Sequence, residues 1–262
     1  MITKILSVGG SIIAPEKPDV DFLRQFVAMA RAWISAENDR RLIFVAGGGA
    51  PARVYQHAYR EVLADTGMSQ CGAAQSSGAR RSDAAQDSGV VNAGSALQAD
   101  SDAADWIGIM ATRLNAQLLK ACCGSLCTDD VVYNPTGDVS FTGKILVASG
   151  WKPGFSTDND AVLLAEKFSA DTVVNLSNIE KVYTDDPRKN PDAKPLDGIS
   201  WNDFRVMVGD EWTPGKNTPF DPVASKKAEQ LGLTVICASG KNIENIRAIL
   251  DEKEFVGTKI GG

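Results

Sequence analysis

Residues 4–13, KILSVGGSII, and residues 41–55, RLIFVAGGGAPARVY, share one plan. A β-rich apolar run breaks at glycines and passes straight into a helical pattern. After the first turn, residues 19–36 place Phe22, Phe26, Met29, Ala30 and Trp33 at helical spacing. After the second, residues 50–65 are helical in pattern. Two strand–glycine–helix units in succession predict a parallel sheet covered by helices.

The plan continues downstream. Residues 104–124 form an amphipathic helix, and 144–150, KILVASG, a buried strand that ends in the glycine-rich turn GWKPGFSTDND. Residues 161–170 read as helix and 171–177, DTVVNLS, as strand, followed by a turn-rich loop over 178–198. Residues 221–233 read as helix, 234–239 as the last internal strand, 242–251 as helix and 257–260 as a short edge strand. Residues 66–101 differ in texture: Ala, Ser, Gly, Gln and Asp dominate, and such a segment buries too little to offset its ordering entropy, so a mobile insertion is expected.

Composition narrows the function. The chain has 262 residues, 27 basic and 33 acidic, for a net charge of −6, which argues against a general nucleic-acid binder. No apolar run approaches the roughly 18–20 residues that span a membrane, and a cytoplasmic address is the default. The one histidine, His57, excludes multi-histidine metal sites. Cys71, Cys122, Cys123, Cys127 and Cys237 match no zinc spacing and read as idle thiols in a reducing compartment.

Four turns follow four putative strands: Gly9 to Ser11, Gly47 to Gly49, Gly150 to Gly154, and the turn after Ser177. In a parallel sheet they share the carboxyl edge, where ligands bind. Glycine admits a phosphate close to the backbone, and the following helix offers unpaired N–H groups. A P-loop is excluded, because Gly137–Lys144 and Gly209–Lys216 have five residues between their glycines and lack the Ser or Thr after lysine. No G-x-G-x-x-G is present.

Six stretches in order, SVGGSI, VAGGGAPARVY, DWIGIMATRLNA, SGWKPGFSTDNDAVLLAE, SNIEKVYTDDPRKNPDAK and DPVASKKAEQLG, make the chain resemble the amino-acid kinase superfamily, and within it the archaeal-type uridylate kinases. The resemblance implies one domain over 1–262, an α/β three-layer αβα sandwich with a mainly parallel central sheet. It implies an acceptor half over 1–160 and an ATP half over 161–262, assembled as a homo-oligomer, a hexamer in relatives. The implied reaction is ATP + UMP → ADP + UDP with Mg²⁺; a kinase of another small phosphorylated acceptor, or a nucleotide-dependent oxyanion storage protein of the same fold, are the alternatives.

Residue by residue, the resemblance assigns Gly10, Ser11, Gly49, Arg53, Ser177, Asn178, Tyr183 and Asp186 to ATP. It assigns Gly48, Asp105 and the loop Trp151, Lys152, Pro153, Gly154, Phe155, Ser156 and Thr157 to UMP, with Asp105 on the ribose hydroxyls. Arg113 and Asn115 face the acceptor site in relatives. Lys226 is the expected lysine at the transferred phosphoryl group. Asp158 and Asp160 either orient catalytic groups or cap the helix that follows; Asp105 has the same capping alternative. Two departures stand out. Ser7 occupies a strand position where many relatives carry lysine, and Glu180–Lys181 replaces their Asp–Gly before Val182–Tyr183. Lys4 cannot substitute for that lysine, since it faces opposite to Ser7.

Overall fold

A computed structural model describes residues 1–65, 93–209 and 218–261. Strand β1 (Ile2–Val8) is an interior strand of its seven-stranded sheet. Leu6 and Val8 enter one apolar layer and Ile5 the other. Strand side chains alternate faces, so a strand covered on both sides is apolar almost throughout. Ser7 and Lys4 are the polar exceptions, buried on opposite faces.

After β1 come α1 (Gly10–Ile13), α2 (Val20–Ala36), β2 (Arg40–Ala46), α3 (Gly49–Asp65), α4 (Ala93–Cys123), β3 (Ile145–Ala148), α5 (Thr157–Phe168) and β4 (Thr172–Ser177). The remainder is β5 (Val182–Tyr183), β6 (Pro195–Leu196), β7 (Gly198–Ile199), α6 (Trp201–Val208), α7 (Pro222–Gln230), β8 (Thr234–Ser239), α8 (Ile243–Leu250) and β9 (Thr258–Ile260). The seven-stranded sheet runs β3-β2-β1-β4-β8-β9-β7, and β5 with β6 makes a separate antiparallel ribbon. All pairs in the large sheet are parallel except β8 with β9. Phe26, Trp33, Leu119 and Ile246 pack on one face, and Val162, Leu164, Phe204 and Ala224 on the other. The architecture is the expected three-layer αβα sandwich.

Three details differ from expectation. Residues 257–260 do not form an edge: β9 lies between β8 and β7, held by the fully buried Thr258, whose Oγ1 accepts the Val182 N–H at 2.8 Å and donates to the Leu196 carbonyl. Helix α6 falls in a stretch with no sequence-based assignment; Ser200 caps it by accepting the Asp203 N–H at 3.1 Å. The insertion expected at 66–101 lies outside the described residues over 66–92, but from Ala93 the chain is already helical. Ala, Leu and Gln in that stretch are good helix formers, and the helix begins earlier than expected.

Register puts the glycine turns on one rim. Val8 pairs with Ala46 and Leu176, and Val45 with Ala148, so β1 to β4 all end at the same edge.

Candidate functional site

The first two glycine turns pack backbone to backbone. A Cβ on Gly10 would lie 1.9 Å from Gly49 N, and one on Gly47 would lie 2.4 Å from Gly10 N. Gly49 has φ +70°, which L side chains rarely adopt. Gly9 N–H donates to Leu176 O at 2.8 Å and Ala50 N–H to Ala14 O at 3.1 Å, tying the corner together.

Beside this corner opens a cavity of about 340 Å³, lined by Gly48, Gly49, Ala52, Arg53 and Gln56, by Asp105, Gly108, Ile109 and Thr112, and by Gly150, Lys152 and Gly154 to Thr157. Helix α4 supplies one wall and pins the loop opposite. Thr112 Oγ1 accepts the Gly150 N–H at 2.8 Å, Arg113 donates to Trp151 O at 3.3 Å, and Asp105 Oδ2 accepts the Gly154 N–H at 3.1 Å. The same helix holds the second glycine turn: buried Asn115 donates to Gly47 O at 2.8 Å and Gly48 O at 3.2 Å. Arg113 sits over the Tyr133 ring at 4.6 Å and the Trp106 ring at 5.6 Å. In the loop, Lys152 Nζ lies 4.1 Å from the Trp151 ring centre and 4.9 Å from that of Phe155.

Helix α5 begins under this loop. Its cap is Ser156, whose hydroxyl accepts the Asn159 N–H at 3.2 Å, so neither Asp158 nor Asp160 serves as cap. Asp158 Oδ1 instead accepts the Ser7 hydroxyl at 3.0 Å, and Oδ2 the Asp221 N–H at 3.3 Å. Asp158 is partly open to solvent but crowded by protein, and burial, with the neighbouring Asp221 charge second, pushes its carboxyl up to about 6. Asp160 is fully buried; Oδ2 accepts the Trp151 N–H at 3.1 Å, and Oδ1 has no partner among the described residues. Burial foremost, with Asp158 adding to it, pushes its carboxyl up to about 7 against the pull of that hydrogen bond.

Most residues expected at the acceptor share this cavity: Gly48, Asp105, Lys152, Gly154, Phe155, Ser156 and Thr157, together with Gly49 and Arg53. Trp151 and Pro153 belong to the loop without lining the cavity. Asp105 lies well inside α4, so it is not that helix's cap. Gly10 and Ser11 stand at the end of β1 beside Gly49. Ser177 ends β4, and Asn178, Tyr183 and Asp186 follow it, outside the cavity. Asp186 is engaged with Arg188 through two bonds of 3.0 Å. Lys226 is exposed on α7, the helix capped by Asp221, and does not line the cavity. Lys4 pairs with Glu252 at 2.9 Å and Asp171 at 3.2 Å, away from Ser7 as its strand parity requires. His57 is exposed, 3.3 Å from Glu61.

Sequence reasoning missed Gln56, Gly108, Ile109, Thr112 and Asp221. The first four carried a signal: Arg53–Gln56 and Asp105–Gly108–Ile109–Thr112 fall at helical spacing on one face. Among the described residues no three His, Cys, Asp or Glu side chains converge on a point that would cage a metal ion.

A model of the amino acid kinase family matches residues 3–239. The chain is 32% identical over 265 residues to a uridylate kinase of Methanospirillum hungatei, spanning 99% of this chain and 95% of that protein. It is 30% identical over 261 residues to a uridylate kinase of Methanococcoides burtonii, spanning 98% and 95%. The crystal structure of a uridylate kinase from Archaeoglobus fulgidus superposes with a TM-score of 0.73 at 27% identity, covering 100% of both chains. A UMP kinase structure from Bacillus anthracis, at 17% identity and a TM-score of 0.66 over 99% and 95%, bears on the fold alone.

Proposed function

Because the chain belongs to the amino acid kinase family, we propose that it transfers the γ-phosphoryl group of ATP to UMP, giving ADP and UDP. The observation that carries this reading is the single cavity in which the Gly48–Gly49 turn and Arg53 face Asp105 and the 150–157 loop. Its volume of about 340 Å³ falls within the range of small-molecule sites, about 300–1,000 Å³.

In this reading Asp105 accepts from the ribose hydroxyls, as a carboxylate suits a cis-diol. Lys152, Ser156, Thr157 and the Gly48 backbone receive the UMP phosphate. Trp151, Pro153, Gly154 and Phe155 shape that loop. ATP lies along the rest of the rim, with Gly10, Ser11, Gly49 and Arg53 at its phosphates and Ser177, Asn178, Tyr183 and Asp186 at its adenosine. The strand order supports dividing the chain into an acceptor half over 1–160 and an ATP half over 161–262, since β1 to β3 lie on one side of β4 and β7 to β9 on the other.

The chemistry needs no general base. A phosphate monoester has its second pKa near about 6 and is largely dianionic at neutral pH. One of its oxygens attacks the γ-phosphorus; the new O–P bond forms as the bond to the β-phosphate oxygen breaks, and ADP leaves with that electron pair. Catalysis is alignment and cancellation of charge on the transferring group. Arg53 and Lys226 supply cationic donors for it, and Asp158, linked to Ser7 and to the amino end of α7, positions the helix that carries Lys226. Mg²⁺ enters with ATP as the Mg–ATP substrate, its oxygens coming chiefly from phosphate.

A homo-oligomer, hexameric as the sequence resemblance implies, and a cytoplasmic address belong to the same reading. Among the described residues no helix is long and apolar enough to cross a membrane. Light-scattering mass in solution tests the assembly.

The deciding experiment is ADP release by the purified protein with Mg–ATP over UMP, CMP, AMP and molybdate. UMP is expected to be fastest. A faster rate with another acceptor overturns the assignment, and ATP-dependent molybdate retention without turnover turns it to storage.

A further inference from the structure

The 150–156 loop hangs between the two helical layers. Its three anchors on α4, namely Thr112, Arg113 and Asp105, belong to one layer. The bond from Trp151 N–H to Asp160 Oδ2, 3.1 Å, ties it to α5, which packs in the other. Asp160 is 0% exposed, and its Oδ1 has no partner among the described residues. An apolar side chain of similar size would fill that space without burying a polar group, which costs free energy when incompletely paired. What it would not do is receive the Trp151 N–H. Trp151 in turn sets its neighbours: its ring lies 4.8 Å from that of Phe155 and 4.1 Å from Lys152 Nζ, and both partners line the cavity.

We propose that Asp160 is a positioning residue for the acceptor loop: through the Trp151 N–H it fixes the backbone from which Lys152 and Phe155 meet the cavity, and so sets acceptor affinity without touching the acceptor. The role in affinity rests on the UMP kinase reading; the role in holding the loop does not.

The test uses Asp160→Leu, which removes the acceptor atom, and Asp160→Asn, which retains an amide oxygen for the Trp151 N–H. Amide hydrogen exchange over residues 150–155 in the ligand-free protein reports the anchor directly. In Asp160→Leu the loop exchanges about tenfold faster or more, as befits an N–H left without a partner. KM for UMP rises by a similar factor and kcat stays within about threefold. Asp160→Asn recovers most of the loop protection and most of the lost affinity. Unchanged loop exchange in Asp160→Leu overturns the proposal, as does a fall in kcat with KM unmoved. If Asp160→Leu does not fold, Asp160→Asn decides: a loop as slow to exchange as in the unmodified protein supports the hydrogen-bond role, and a loop loosened about tenfold refutes it. If the unmodified protein does not phosphorylate UMP, the substrate reading fails, while the exchange measurement still decides the anchor.

Discussion

The Ser7 hydroxyl donates to Asp158 Oδ1 at 3.0 Å, joining the end of strand β1 to the first turn of α5. That bond and the Asp221 N–H favour the ionised carboxyl, while burial and the Asp221 charge oppose it and leave Asp158 near about 6. Removing the hydroxyl with Ser7→Ala takes away one of the two stabilising donors, so the carboxyl rises further. If the ionised form is the active one, the acid limb of the activity profile moves to higher pH. Activity relative to the unmodified protein then falls more at pH 6 than at pH 8. The acceptor's own ionisation, in the same range, cancels in this comparison. Superimposable profiles would show that Asp158 does not govern turnover.

The glycine corner gives a sharper structural prediction. The 1.9 Å and 2.5 Å approaches that a Cβ on Gly10 would make are to backbone atoms of Gly49 and Gly48, which have no rotamer to change. Gly10→Ala is expected to cost more than about 3 kcal/mol in urea unfolding, or to prevent accumulation of folded protein. Gly154→Ala is the control. Its Cβ would meet nothing within 4 Å, and only the backbone φ of +79° resists, a cost of about 1–2 kcal/mol. Equal losses at the two positions would mean that the corner is looser than its distances indicate.

Asp105 faces the cavity and also holds Gly154, so Asp105→Ala removes both a partner for the ribose and a loop anchor. UMP affinity by calorimetry is expected to fall at least fivefold, about 1–3 kcal/mol, with ATP affinity unchanged. An unchanged UMP affinity would remove Asp105 from the acceptor site even if the protein proved active.

What the sequence disclosed follows from where each interaction lives. Strands β1, β2, β3 and β4 are buried on both faces, so their apolar runs and glycine ends stand out locally. The same holds for the cavity wall, since Gly48, Arg53, Asp105 and the 150–157 loop sit in compact motifs. The junction beneath them was hidden. Ser7 meets Asp158 across 151 positions, and Asp158 meets Asp221 across 63, and no spacing rule joins them. Asp158 and Asp160 look like ordinary helix-start carboxylates until Ser156 is seen to hold the cap. Strand β9 misled for a related reason: three residues at the end of the described chain resemble an edge, and only the pairing with β8 and β7 shows otherwise.

Asp160 also makes stability depend on pH in a direction opposite to that of most surface carboxylates. In the fold its carboxyl stands near about 7, against about 3.9 in an unfolded chain. Between those values the unfolded chain has released a proton that the folded chain keeps. Stability is therefore fully present below about pH 4, falls as pH rises towards 7, and levels off above. Asp158 adds a change of the same sign up to about pH 6. A gap of about three units corresponds to a few kcal/mol at about 1.36 kcal/mol per unit. Asp160→Asn cannot ionise, so it removes this contribution. Relative to the unmodified protein it is expected to gain more stability at pH 8 than at pH 4.5, read as the shift in urea midpoint at constant m. A shift of the same size at both values would place the ionisation elsewhere and show that the carboxyl under Trp151 keeps an ordinary acidity.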